Sequence, residues 1–219
     1  MNKNKYLAEF IGTALLLAVI TGSGIMGDVL ARNNNAVALL GNSIATGAAL
    51  YVLISSLMPI SGAHFNPVVS LVDWANKKLK TGELIIYFIC QFLGAIFGVM
   101  LCHFIFALPI LQESINPRSG INFYFSEFIS TLILLSVIYF GVKNDKKQIP
   151  MLVALTVTAG YWFTSSTFFA NPAVTIARSL TDTFVGIQSA DVIPFIIAQF
   201  IAAFIFIVIA KSKSKSKKL

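Results

Sequence analysis

The chain has 219 residues, 57% of them hydrophobic and 11% charged. Soluble domains carry about 25% charged residues, so this composition excludes a soluble enzyme, a disordered chain and a nucleic-acid binder. The net charge of +7 comes from lysines at the chain ends and in two short segments, a pattern that suits a membrane protein better than a polyanion binder.

In chain order, the first apolar run is Leu7–Gly27 with a single carboxylate, Glu9. It reads as a span and not as a cleavable leader, because it is long and no convincing small-residue cleavage site ends it. Residues Asn33–Val72, Leu84–Gln112, Gln148–Ala177 and Val192–Ala210 contain no Asp, Glu, Lys or Arg, and Ile121–Val142 contains only Glu127. A crossing takes about 20 apolar residues. Six full spans follow, near 6–26, 36–57, 84–108, 121–142, 149–167 and 191–210. Cys90 and Cys102 lie in apolar runs, so no disulfide framework is implied.

All lysines fall in four places: Lys3 and Lys5; Lys77, Lys78 and Lys80; Lys143, Lys146 and Lys147; and the tail from Lys211 to Lys218. Six spans with both termini in the cytoplasm put every cluster on that side. The opposite loops keep only Arg32 and Arg118, as the positive-inside rule requires. The basic tail, 211–219, is expected to lie against anionic lipid headgroups.

The sequence repeats itself weakly. Glu9-Phe10-Ile11-Gly12-Thr13 returns as Glu127-Phe128-Ile129-Ser130-Thr131. Asn66-Pro67-Val68-Val69 returns as Asn171-Pro172-Ala173-Val174, and Gln91-Phe92-Leu93-Gly94-Ala95 as Gln199-Phe200-Ile201-Ala202-Ala203. Three matches in one order indicate a duplication, residues 1–112 and 113–210 of one channel domain. Three spans per half turn the second copy upside down, and inverted repeats place a transport site at the midplane.

Asn66-Pro67 and Asn171-Pro172 each begin a stretch of about ten residues, roughly 15 Å of helix and half of a ~30 Å bilayer core. Asn is a preferred N-cap and Pro a preferred first helical residue. Both stretches, 66–75 and 171–180, read as half-helices entering from opposite sides. Their N-termini meet near the middle, where two positive dipole ends repel cations and protons. Asn66 and Asn171 present amides there to water or a hydroxyl. Asn116-Pro117 reads as an ordinary turn.

On these motifs the chain resembles the aquaporin family of water and small neutral solute channels. The resemblance runs over nearly the whole length. It rests on Ser61-Gly62-Ala63-His64-Phe65-Asn66-Pro67-Val68, on Asn171-Pro172-Ala173, on the Glu9 and Glu127 segments, and on the two Gln-aromatic helices. It implies an all-α membrane protein of six transmembrane helices and two re-entrant half-helices, a pore in each subunit and a homotetramer. The first motif has Val68 where the family usually has Ala. The larger departure is Val174, where many aquaporins carry an Arg. Family spacing adds Thr46, Ala159 and Phe168 to Val174 as a selectivity filter with one hydroxyl and no charge, hence a broad pore.

Residues 171–184 resemble bacterial aquaporins associated with arsenic resistance. That resemblance implies passage of arsenous acid, an uncharged, polyhydroxylated solute about the size of glycerol. Arg178, one turn after Val174, either lines the outer vestibule or pairs with a carbonyl or with Asp182. Glu9 and Glu127 read as scaffold acceptors for non-helical backbone, with a proton relay as the alternative. His64 reads as a brace for its loop or as a pH-sensitive gate, and His103 as a packing residue. Gly94-x-x-x-Gly98 suggests close helix contact.

The sequence therefore points to a passive channel of a bacterial plasma membrane, with arsenous acid, glycerol and water as candidate solutes and no cofactor. A general water and glycerol facilitator and, further off, a proton-coupled secondary transporter are the alternatives. Two separated histidines and no nucleophile–base pair argue against a membrane-embedded enzyme. Measurable flux would exclude a purely structural junction protein.

Overall fold

The computed structural model describes residues 3–32 and 34–216. Helices α1 (Lys3–Ala31), α2 (Asn35–Ser61), α3 (Pro67–Ala75) and α4 (Thr81–Ile105) form one half. Helices α5 (Ile121–Asn144), α6 (Ile149–Phe163), α7 (Pro172–Arg178) and α8 (Ser189–Ser216) form the other, with a short 3₁₀ turn, Lys146–Gln148, before α6. No strand occurs among the described residues. The last three residues of the basic tail lie outside them.

Each boundary has a chemical cause. Asn34 caps α2 by accepting from the Val37 N–H at 3.3 Å. Gly62, with φ +91°, ends that helix and donates its N–H to the Met58 carbonyl, a left-handed turn that a side chain resists. At the start of α4, Glu83 accepts from the Lys80 N–H at 2.9 Å and pairs with Lys5. That contact ties the N-termini of α1 and α4 together at the lysine-rich end.

Five helices are long and apolar enough to cross a membrane: α1, α2, α4, α5 and α8. The sixth expected span is different. Helix α6 has 15 residues, about 22 Å, and stops at Phe163 instead of continuing to 167. The reason is the run Thr164-Ser165-Ser166-Thr167, whose hydroxyls compete for backbone hydrogen bonds. Thr164 turns extended and its Oγ1 donates back to the Gly160 carbonyl at 2.7 Å.

The halves pack around one central apolar cluster that includes Leu17, Val99, Phe169 and Phe195, with a second around Val68, Leu135 and Phe206. Gly94 and Gly98 let α4 touch α1: a Cβ on Gly98 would sit 2.1 Å from the Ala14 carbonyl oxygen, and one on Gly94 2.5 Å from that of Phe10. The close contact suggested by that pair therefore lies inside the subunit. Leu7, Leu15, Ile85, Ile89, Leu155 and Phe204 remain exposed on the outside, the surface that a bilayer would cover.

Candidate functional site

A cavity of about 290 Å³ runs between the two halves. Its wall is built from rows spaced four residues apart, one per helix turn: Thr46, Leu50, Ile54 and Met58 on α2, and Ile149, Val153, Val157 and Tyr161 on α6. Leu16 and Ile20 of α1 and Leu134, Ile138 and Val142 of α5 complete the apolar sides. His64, Asp73, Lys78 and Lys146 line the lysine-rich end. Phe168, Phe169, Val174 and Arg178 line the other, beside Thr46 and Tyr161.

The two half-helices start at the cavity's middle, and each asparagine does two jobs. Asn66 Oδ1 accepts from the Val68 N–H at 3.0 Å, while its Nδ2 donates to the Ala170 carbonyl at 2.8 Å. Asn171 Oδ1 accepts from the Ala173 N–H at 3.0 Å, and its Nδ2 donates to the Phe65 carbonyl at 2.8 Å. A side-chain amide has two N–H donors. One on each asparagine is therefore left for a guest in the cavity that both residues line.

The segments leading into the half-helices are strained in matching ways. Ala63 and Phe65 have φ of +51° and +49°, and their counterparts Phe168 and Ala170 have +56° and +47°. Non-glycine residues resist this region, so something must hold them there. Glu9 does so in the first half. Its carboxylate accepts from the His64 and Phe65 N–H groups at 2.9 and 2.8 Å, from Ser61 Oγ at 2.7 Å and from Gln91 Nε2 at 2.8 Å. Glu127 accepts from the Phe169 and Ala170 N–H groups at 3.0 and 2.8 Å and from Gln199 Nε2 at 2.6 Å. The glutamines extend the correspondence: Gln91 also donates to Ser70 Oγ and Gln199 to Thr175 Oγ1, each at 2.9 Å. His64 is fixed at both ring nitrogens, by Ser70 Oγ at 3.0 Å and by an Asp73 carboxylate oxygen at 3.3 Å.

The structure brings some of the sequence-derived residues together and separates others. Asn66, Asn171, Thr46, Phe168, Val174 and His64 line the cavity. Pro67, Val68, Pro172 and Ala173 are buried but do not line it, and Val68 packs into the second apolar cluster. Ala159 is a correction: it is exposed on the outside of the bundle. Counting back from Asn171 misses because α6 ends early and extended chain covers the rest. Two positions from Val157 is about 200° around the helix, so Ala159 faces away while Tyr161 faces in. The Tyr161 hydroxyl lies 3.2 Å from Thr46 Oγ1.

The pattern of these elements agrees with the comparisons. The family model described as "Major intrinsic protein" matches residues 1–167. The chain belongs to this family. Aquaglyceroporin AqpS of Rhizobium meliloti (strain 1021) is 47% identical over 197 residues, 90% of this chain and 84% of the relative. Mouse (Mus musculus) aquaporin-8 is 31% identical over 158 residues, 66% of this chain and 56% of that one. The X-ray structure of the aquaglyceroporin from Plasmodium falciparum shares the fold, with a TM-score of 0.73 over 94% of both chains at 21% identity. This major intrinsic protein is thus a membrane-embedded solute channel and not an enzyme.

At the end of the cavity marked by Val174, this major intrinsic protein places two arginines that spacing alone did not bring together. Arg178 is buried, its Nε donates to the Val185 carbonyl, and its guanidinium lies 3.5 Å from the Phe169 ring centroid. Arg178 thus pairs with a backbone carbonyl and also lines the cavity. Asp182 is not its partner, accepting instead from the Ile115 N–H at 3.1 Å. Arg118, read as a loop residue, reaches inward. Its Nε donates to the Gly186 carbonyl at 3.0 Å, and its guanidinium stands 5.0 Å from the same Phe169 ring. Burial pulls the Arg118 guanidinium down to about 10, against the opposing pull of Glu127, Tyr161 and Asp191, so it stays charged near neutral pH. His103 is more than a packing residue: it joins the Ile110 carbonyl at 2.9 Å to Thr181 Oγ1 at 2.8 Å.

Proposed function

We propose that the cavity is a passive pathway for small uncharged, polyol-like solutes, arsenous acid among them, with glycerol and water as companions. The observation that carries this reading is the chemistry of the wall. It is apolar along most of its length, offers one spare amide N–H from each of Asn66 and Asn171, and has Val174 and Tyr161 with Thr46 toward one end. A bare ion entering such a wall meets an idealised desolvation cost on the order of 20 kcal/mol. A neutral polyol exchanges water for the amides and hydroxyls at much smaller cost. The relative named an aquaglyceroporin, at 47% identity, supports the water and glycerol part.

The pore role of Asn66, Asn171, Thr46, Phe168, Val174 and Tyr161 belongs to this proposal. So does a structural role for Glu9, Glu127 and His64. The lysine-rich end faces the cytoplasm of a bacterial plasma membrane in this reading, with both termini inside and anionic lipid against the basic tail. The subunits assemble as homotetramers with one pore each.

Stopped-flow light scattering on proteoliposomes shifted isotonically into arsenous acid tests the substrate. Swelling several-fold faster than in empty liposomes supports it. Swelling at the empty-liposome rate, in vesicles that still pass glycerol, removes arsenous acid and leaves the water and glycerol facilitator.

A further inference from the structure

Thr46, Tyr161, Phe168 and Val174 carry no charge, so these four residues supply no fixed cation to the end of the cavity where they stand. Arg178 is the one charged residue on the wall there; the other charged lining residues, Asp73, Lys78 and Lys146, stand at the opposite end with His64. Its guanidinium is held by the Val185 carbonyl and the face of Phe169. Arg118 lies over the same ring and is fixed by the Gly186 carbonyl, with longer 3.4 Å contacts to the Ser166 carbonyl and Thr167 Oγ1.

Neither guanidinium has an ion-pair partner within 4.0 Å among the described residues. Glu127 directs its oxygens at the Phe169 and Ala170 amides and at Gln199. Asp191 bonds the Arg118 backbone, Ser119 and Tyr124, not the guanidinium. Two cations gathered on one ring with only neutral groups in direct contact are a poor device for stability, since each carries a desolvation cost that no ion pair offsets, Glu127 and Asp191 acting on Arg118 only from a distance. They are a good device for electrostatics, because a charge beside a low-dielectric passage acts strongly on whatever enters it.

We propose that Arg178, with Arg118 near the same Phe169 ring, is the fixed positive charge that keeps protons and small cations out of this pore in place of a charged side chain at Val174. The inference rests on reading the cavity as a solute pore. Arg178 acts on the permeating species directly. Arg118 is a positioning residue that packs on the same Phe169 ring and adds to the same field.

The test uses proteoliposomes of wild type, Arg178→Gln, Arg178→Lys and Arg118→Gln, with two readouts in each: proton leak under an imposed potential, followed with a trapped pH-sensitive dye, and glycerol swelling. Wild type should leak protons at the empty-liposome rate. Arg178→Gln should raise the ratio of proton leak to glycerol swelling about tenfold, Arg118→Gln a few-fold, and Arg178→Lys little. Should Arg178→Gln fail to fold, Arg118→Gln decides by the same ratio. A ratio at the wild-type value in either Gln variant that still swells overturns the inference. Wild type that does not swell in glycerol at all overturns the pore reading beneath it, an outcome visible before any variant is measured.

Discussion

Asn66 and Asn171 each fasten the segment that leads into the other's helix: the Asn66 amide donates to the Ala170 carbonyl and the Asn171 amide to the Phe65 carbonyl, both at 2.8 Å. The two half-helices are thereby locked nose to nose at a fixed separation. Neither bond would exist if one half-helix shifted by a turn, so the pair sets the register between the repeats as well as the polarity of the cavity's middle.

Asn66→Ala should therefore cost more than a helix cap. The lost cap accounts for about 1 kcal/mol, and the orphaned Ala170 carbonyl for roughly 1–3 kcal/mol more. Thermal unfolding in detergent should show a lowered midpoint. The double variant Asn66→Ala/Asn171→Ala should lose less than the sum of the single changes, because each removal loosens the other's loop. Strict additivity would show that the two bonds are independent.

Glu127→Gln separates a scaffold carboxylate from a proton relay. The substitution keeps the shape but replaces one acceptor oxygen by an NH₂ group that faces backbone N–H donors. One buried donor among Phe169 and Ala170 loses its partner, a cost of roughly 1–3 kcal/mol. Glu9→Gln should cost at least as much, since Glu9 accepts four bonds. Flux through the surviving protein should be indifferent to an imposed proton gradient. Solute accumulation driven by a gradient in wild type, and lost in Glu127→Gln, would restore the coupled transporter.

Much of this was legible in the sequence because the repeat is local. Glu9 with Glu127, Gln91 with Gln199 and the two Asn-Pro pairs each sit in short, self-similar stretches, and caps act within three residues. The end of α6 and the inward path of Arg118 were harder. Helix α6 stops where Thr164-Ser165-Ser166-Thr167 outcompetes helix hydrogen bonds, a signal inside a charge-free run that hydropathy does not register. Arg118 is drawn in by tertiary partners far along the chain, Gly186 and Phe169, and no local pattern announces that. The rows spaced by four on α2 and α6 were readable, and they would have favoured Tyr161 over Ala159.

The outward position of Ala159 and the inward one of Tyr161 can be told apart by substitution. Ala159→Leu places an apolar side chain on an exposed face of α6 and should change stability by no more than about 0.5 kcal/mol, with glycerol flux as in wild type. Tyr161→Ala removes the ring and the hydroxyl beside Thr46, and should shift the ratio of glycerol to water flux. Equal effects of the two changes would return Ala159 to the cavity.

The most direct test of a passive pore through this cavity is the rate of isotonic glycerol swelling in proteoliposomes of wild type and Val174→Arg, read beside osmotic water permeability. Val174 is buried at the cavity wall, so an arginine there narrows the passage. Wild type should swell well above empty liposomes without any gradient of ions, and Val174→Arg should fall toward the empty-liposome rate while water flux persists. Wild-type swelling at the rate of empty liposomes, or Val174→Arg swelling as fast as wild type, would contradict the account.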